Sequence, residues 1–184
     1  MSEYTLLEHC APTLAGIKTG NLVSCVYQTK EEVRHDLRRW NRQLQPKGLR
    51  IIPLKYMKER VLLYLYRPGY LAADLRMPAS RELLSRCGYG SDSENGCILT
   101  LIRHLKENSE FPHEIGLFLG YPAEDVRGFI EQKGIGYKYS GLWKVYGDVE
   151  RARRMFERYS RCTAFYCGAS KRGRTIAELA VAKG

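Results

Sequence analysis

Residues 110–148, EFPHEIGLFLGYPAEDVRGFIEQKGIGYKYSGLWKVYGD, decide how the chain is read, because they place two helix patterns and a strand pattern around two tight turns. Pro112 suits the first turn of a helix, where a missing N–H loses no bond, and Ile115, Phe118 and Leu119 recur at helical spacing until Gly120 offers a left-handed stop. Tyr121 and Pro122 turn the chain. Pro122 can open a second helix. Glu124 and Asp125 then sit in its first turn, at the end of the helix dipole that favours carboxylates, and Val126, Phe129 and Ile130 form its apolar stripe. Gly134 closes it. Tyr137, Tyr139, Leu142, Trp143, Val145 and Tyr146, interrupted by Ser140 and Gly141, predict two short strands.

Helix, turn, helix and strand pair in this order resemble a winged helix-turn-helix, with the hairpin at 111–133 and the strands reaching 146. Ile115, Gly116, Leu119, Gly120, Val126 and Phe129 fall where that motif wants apolar, small or turn residues. A nucleic-acid-binding protein that uses segment 111–146 is therefore the alternative function. Glu124 and Asp125 disfavour it, since two carboxylates leading a helix toward phosphates are repulsive and Arg127 is the lone base in its first two turns.

Working outward toward the N-terminus, residues 5–14 predict a short helix broken at Pro12, followed by a small-residue connector with Gly16 and Gly20. The segment GIKTGN fails as a phosphate loop: no strand precedes it, and Ile17 stands where a glycine should precede Lys18. Lys18, Thr19 and Asn21 remain as polar groups on a turn. Residues 22–27 predict a buried strand, and Thr29 with Glu32 makes a capping box for a helix whose stripe is Val33, Leu37, Trp40 and Leu44. Residues 49–55 and 60–66 predict a hairpin, with Pro53 marking an edge strand or a bulge.

Residues 67–93 carry enough Pro and Gly to predict short helices and loops, with GYGSDSENG as a flexible segment. A helix at 94–107 follows, with Ile98, Leu101, Ile102 and Leu105 inward. Asp148 caps another, whose inward residues are Val149, Ala152, Met155, Phe156 and Tyr159, and TAFYC at 163–167 reads as a closing strand. The expected fold is α/β (α+β). It is a single domain over 1–168, a mixed sheet of about five strands with packed helices, and 169–184 form a basic, mobile tail or a short terminal helix.

A chain of 184 residues can bury a core without metal or disulfide staples. Its six cysteines are irregularly spaced and form no CxxC pair, so buried thiols in a reducing, cytoplasmic compartment are expected and no metal site is. Apolar runs stay far below membrane-spanning length, so no membrane partner is expected, and MSEYTLLEHC carries Glu3 and Glu8 in place of a basic signal start. The net charge of +10 favours anionic partners without choosing among them. Arg34, Arg38, Arg39 and Arg42 lie on one predicted helix and Arg151, Arg153, Arg154, Arg158 and Arg161 on another, where solvated faces are the plain alternative.

Phe111-Pro112-His113-Glu114, the GYP and DV-GFI that follow, GLWKVYGD and the early HCAPTLAGIKTGN carry a resemblance across nearly the whole chain, up to about Gly168. The chain resembles an uncharacterised family of anaerobic, mostly clostridial bacteria, a domain of unknown function marked by a Pro-His-Glu motif. The resemblance implies no established activity. It implies a tie to redox or iron metabolism, through genes for flavodoxin and iron uptake near those of relatives.

His113 and Glu114 at a helix start can act as a proton-transfer pair or as ligands; alternatively Glu114 complements the dipole while His113 caps or packs. The His9 imidazole can lower the pKa of Cys10, although neighbours on a helix point apart. Tyr137, Tyr139, Trp143 and Tyr146 can stack on a flat ligand or belong to the core. The expected function is a small anionic or planar ligand- or cofactor-binding protein, with enzyme activity left open and the cofactor unidentified. Its site would lie where the PHEIG helix and HCAPTLAGIKTGN meet. His113, Glu114 and Cys10 are the candidate catalytic residues, and His9, Lys18, Thr19, Asn21, Tyr137 and Trp143 the candidate ligand-binding ones.

Overall fold

Leucine-, valine- and isoleucine-rich segments pair as three antiparallel strands, β1 (Gly20–Val26), β2 (Arg50–Tyr56) and β3 (Arg60–Tyr66), in the order β1-β3-β2. The computed structural model describes residues 1–91, 93–107 and 110–182 and divides the chain into two compact units. Met1–Gly69 and Tyr159–Gly184 make the first, Tyr70–Arg158 the second. Pro53 lies on the edge strand, and the register slips between Pro53 and Lys55. Proline has no N–H for a ladder, so an edge with a bulge is where it fits.

Val23, Cys25, Ile51, Val61, Leu63 and Leu65 from this sheet are buried against helices α1 (Glu3–Leu14) and α2 (Lys30–Leu44). The expected α2 stripe, Val33, Leu37, Trp40 and Leu44, is buried, and Thr29 Oγ1 accepts the Glu32 N–H at 3.1 Å. The Glu32 carboxylate accepts from Gln28 N–H at 3.0 Å and from the Met1 ammonium at 3.0 Å, which ties the start of α1 to α2.

Behind β3, Arg67 is 2% exposed and its guanidinium donates to four main-chain oxygens. Nε bonds to Thr13 O at 2.8 Å, Nη2 to Leu14 O at 2.9 Å and Val181 O at 2.8 Å, and Nη1 to Lys47 O at 3.3 Å. The last carbonyls of a helix have no intrahelical partner, and a cation there offsets the negative end of the dipole. Gly16, at φ +72°, lets the chain leave α1 beside the guanidinium, where a Cβ would sit 3.5 Å from Cζ.

The second unit contains most of α3 (Pro68–Arg76), then α4 (Pro78–Arg86), α5 (Glu94–Glu107), α6 (Ile115–Phe118), α7 (Ala123–Glu131) and the two-stranded ribbon of β4 (Tyr139–Ser140) and β5 (Lys144–Val145). Helix α8 (Val149–Lys171) gives residues to both units, and α9 (Ile176–Leu179) follows in the first. The expected five-stranded mixed sheet is thus corrected to a three-stranded antiparallel sheet and a separate ribbon. TAFYC is not a strand. Ala152, Phe156, Tyr159, Tyr166 and Ala169 are buried at helical spacing, so the apolar period of α8 runs through 163–167 and overrides local strand propensity.

The hairpin at 111–133 is also shorter than a helix-turn-helix requires, since α6 is a single turn. Gly120 N–H bonds to Leu117 O at 3.1 Å and Tyr121 N–H to Gly116 O at 2.9 Å, a left-handed cap that stops the helix at once, with Gly120 at φ +74°. The C-terminal residues are tied in the first unit: Val181 N–H bonds to Leu14 O at 3.0 Å, and Lys47 Nζ donates to Ala177 O and Ala180 O. Thr175 and Glu178 form a capping box for α9.

Replacing Arg67 with Met is expected to lower the free energy of unfolding by about 3 kcal/mol or more, because buried carbonyls lose their donor. Arg67→Lys keeps the charge but not the fork and should recover only part of that loss. Urea denaturation of the two variants measures both.

Candidate functional site

In the second unit, Met77 and Pro78 break α3 from α4, since proline is at home in a helix's first turn. Arg76 closes one helix and Arg81 sits in the first turns of the next; both are exposed. Ser93 then starts α5, its Oγ accepting Gly96 N–H at 3.1 Å. Gly96 is required there: a Cβ would lie 2.0 Å from Ser91 Oγ, so only glycine lets the Ser91 turn close over the helix start. Cys97 Sγ donates to Ser91 O at 3.2 Å and fixes that turn from the helix side.

These elements enclose a cavity of about 380 Å³, lined by Arg76, Arg81, Ser85, Tyr89, Ser91 and Cys97 among others. That volume suits a small ligand. Beneath it, Tyr89 Oη donates to Glu114 Oε1 at 3.1 Å, and His104 Nδ1 lies 2.9 Å from the same oxygen, so its N–H is the matching donor. The Tyr89 and His104 rings meet edge to face at 5.0 Å. Burial, and then the Glu114 carboxyl, push the Tyr89 phenol well above its ordinary value. Helical spacing puts His104 seven residues after Cys97 on α5, so the cavity wall and the Glu114 contact come from one side of one helix.

Glu114 and His113 were expected to act together, and the fold separates them. Glu114 is 7% exposed and bonded to Tyr89 and His104, whereas His113 is exposed and packs on Phe129 with ring centroids 4.7 Å apart. Trp143 is buried: its Nε1 donates to Asp125 Oδ2 at 2.8 Å and its ring stacks on Tyr121 at 4.4 Å. Asp125 Oδ1 accepts the Tyr146 and Gly147 N–H groups, each at 2.8 Å. It sits in the first turn of α7 as expected, but it is 3% exposed and staples the helix to the ribbon. Tyr137 stands exposed with the Lys144 ammonium 4.9 Å from its ring centroid.

In the first unit His9 is exposed and Cys10 fully buried, so the adjacent pair points apart. Desolvation raises the Cys10 thiol to about 12 and lowers the Lys18 ammonium to about 8, with each group opposing the other's shift. Lys18 is 8% exposed, with Nζ 6.0 Å from the Tyr159 ring centroid. The Thr19 carbonyl accepts Arg67 N–H at 2.9 Å, and Asn21 Oδ1 accepts the Thr13 hydroxyl at 2.7 Å. Polar residues of GIKTGN therefore serve the junction of α1 with the sheet. Arg76, Arg81, Tyr89 and His104 escaped the sequence analysis. Only His104 left a trace there, falling next to Leu105 on the apolar side of the predicted 94–107 helix.

Among the described residues no group of three or more His, Cys, Asp and Glu side chains is placed to hold a metal ion, and no helix is long and apolar enough to cross a membrane. Fold and cavity define a basic mixed helix-and-sheet protein with a small arginine-edged pocket. The chain belongs to the family described as Protein of unknown function (DUF3793), which matches residues 6–180. No curated protein and no solved structure matches the chain.

Lys18 should make stability depend on pH. Its folded pKa, about 8, lies below the ordinary 10.5, so the unfolded chain binds more protons between those values and stability from this group rises with pH there. The stability of Lys18→Met relative to the parent protein should then fall as pH is raised from 7 through 9, read by urea unfolding at each pH. Asp125→Ala should cost about 2–4 kcal/mol, by stranding two peptide N–H groups and the Trp143 indole, and shift tryptophan fluorescence.

Proposed function

We propose that the protein binds a small anionic ligand, phosphate-bearing or of similar charge, in the cavity of the second unit. The observation that carries this is the pairing of Arg76 and Arg81 on one 380 Å³ cavity with the hydroxyl-bearing Ser85 and Ser91, where the one carboxylate of the lining, Glu82, is paired with Arg127 at 3.3 Å. Two guanidinium groups supply forked donors suited to phosphate or carboxylate oxygens, and the two serine hydroxyls add to the set. The start of α5 adds a partial positive charge beside Ser91.

Beneath the ligand, Tyr89, Glu114 and His104 form a chain through which a proton can move, since all three share the Glu114 Oε1 contact. Of the residues expected from sequence this keeps Glu114, with His104 in place of His113 as its imidazole. Cys10, Lys18, Thr19, Asn21 and Trp143 take packing and hydrogen-bonding roles in this proposal, and the exposed His9 and Tyr137 take no part in the site. The compartment that goes with it is the cytoplasm, expected from the cysteine usage. The link to redox or iron metabolism rests on the resemblance alone.

Pyrophosphate serves as a probe. It is expected to raise the unfolding stability of the parent protein by about 2.7 kcal/mol at a hundredfold excess over its Kd, and to leave Arg76→Ala/Arg81→Ala unchanged. Glu114→Gln should bind pyrophosphate as the parent does. Equal stabilisation of the parent and the double arginine variant, or none of either, would overturn the proposal.

A further inference from the structure

In the first unit, Arg34, Arg38 and Arg42 recur every fourth residue along α2 and so share one exposed face. They flank an open groove of about 720 Å³ between α2 and the edge strand β2, floored by Ile52, Pro53 and Tyr56. The groove is basic along one wall and apolar on its floor. Of the three arginines, Arg34 meets Glu31 at 3.5 Å, both ends in water, a pairing of little worth. The neighbouring Arg39 is instead spoken for by the buried Asp36, at 3.1 Å.

We infer that this groove binds single-stranded nucleic acid, with Arg34, Arg38 and Arg42 on successive phosphates and Tyr56 and Ile52 against the bases. An edge strand beside basic residues would otherwise suit an acidic peptide added as a further strand, but β2 is closed to that. Asn41 occupies both main-chain groups of Ile51, donating to its carbonyl at 2.8 Å and accepting its N–H at 3.0 Å. Two residues on, Pro53 has no N–H to offer. Peptide addition therefore lacks its hydrogen bonds, while a strand held by side chains loses nothing.

Duplex DNA fits less well, for a related reason. Val33, Leu37, Trp40 and Leu44 are buried against the sheet, so α2 offers a duplex only its arginine ridge and the apolar floor beside it stays unused. A single strand can use the apolar floor as well, because its base faces are free to pack on Tyr56 and Ile52. Tyr56 is held edge to face on Tyr27 at 5.7 Å, and Lys30 Nζ lies 5.6 Å from its ring centroid, which adds a further cation to that end.

The test is fluorescence anisotropy of the full chain with a labelled oligothymidine strand, the same strand annealed to its complement, and polyglutamate as competitor. The single strand should bind more tightly than the duplex, and log affinity should fall with log salt at a slope near −2, from about −0.7 for each of three phosphates. Arg34→Ala/Arg38→Ala/Arg42→Ala should lose at least about tenfold in affinity at low salt and most of that slope. Its melting temperature should match the parent's, since all three side chains are exposed. Tyr56→Leu should weaken single-strand binding without changing the slope. Equal binding by the triple variant, preference for the duplex, or displacement by polyglutamate at matched charge would each overturn the assignment.

Discussion

The first unit is organised around a guanidinium that has left water. Arg67 follows β3 directly, and in this fold its charge can be buried only where several main-chain oxygens converge. Thr13 and Leu14 supply them from the end of α1, Lys47 from the turn after α2, and Val181 from the segment after α9. Three places far apart in the chain are thereby required to meet at Arg67. Apolar burial can shift by a methyl group and survive, but a buried cation missing an acceptor loses free energy comparable to a large part of a domain's net stability. Lys47 reinforces the arrangement by giving its ammonium to Ala177 and Ala180 while its carbonyl serves Arg67.

The second unit uses the same device with the opposite sign. Asp125 is buried in the first turn of α7 and satisfied by the Trp143 indole and the Tyr146 and Gly147 peptides. Because the ribbon is only two residues per strand, its own hydrogen bonds cannot hold it. The carboxylate does so, and Gly128 lets the helix come close: a Cβ there would lie 2.3 Å from the Tyr146 ring. This is why a residue that looked like an electrostatic obstacle to DNA belongs to the interior.

Local rules carried the parts of the fold whose physics is local. The α2 stripe, the hairpin of β2 and β3, Pro53 at an edge and the turn at Tyr121-Pro122 all follow from spacing and backbone chemistry. The failures share one cause, competition from contacts distant in sequence. TAFYC has strand-forming residues, yet Tyr166 continues the stripe of Phe156 and Tyr159 and its hydroxyl reaches Leu179 O at 2.8 Å. The Pro-His-Glu segment promised a helix from Pro112, and the helix stops before Gly120 as expected but begins only at Ile115. His113 and Glu114 looked like a pair, but which of two neighbours turns inward depends on Tyr89 and His104, and nothing local to residue 113 reveals them.

Arginine accounts for much of the net charge of +10, and the structure gives the same side chain three different physical situations. Arg67 is enclosed by carbonyls and acts on folding. Arg76 and Arg81 edge a cavity that also carries the Ser85 and Ser91 hydroxyls and the Glu82 carboxylate, the last paired with Arg127, so a small anion there would meet donors on several sides. Arg34, Arg38 and Arg42 stand in line above an apolar floor, where a compact ion would meet one guanidinium at a time and gain little over water. Only an extended anion with apolar faces can use that line and its floor together. What an arginine does is therefore set by what its neighbours leave unsatisfied, and composition alone cannot say which of these situations a given one occupies.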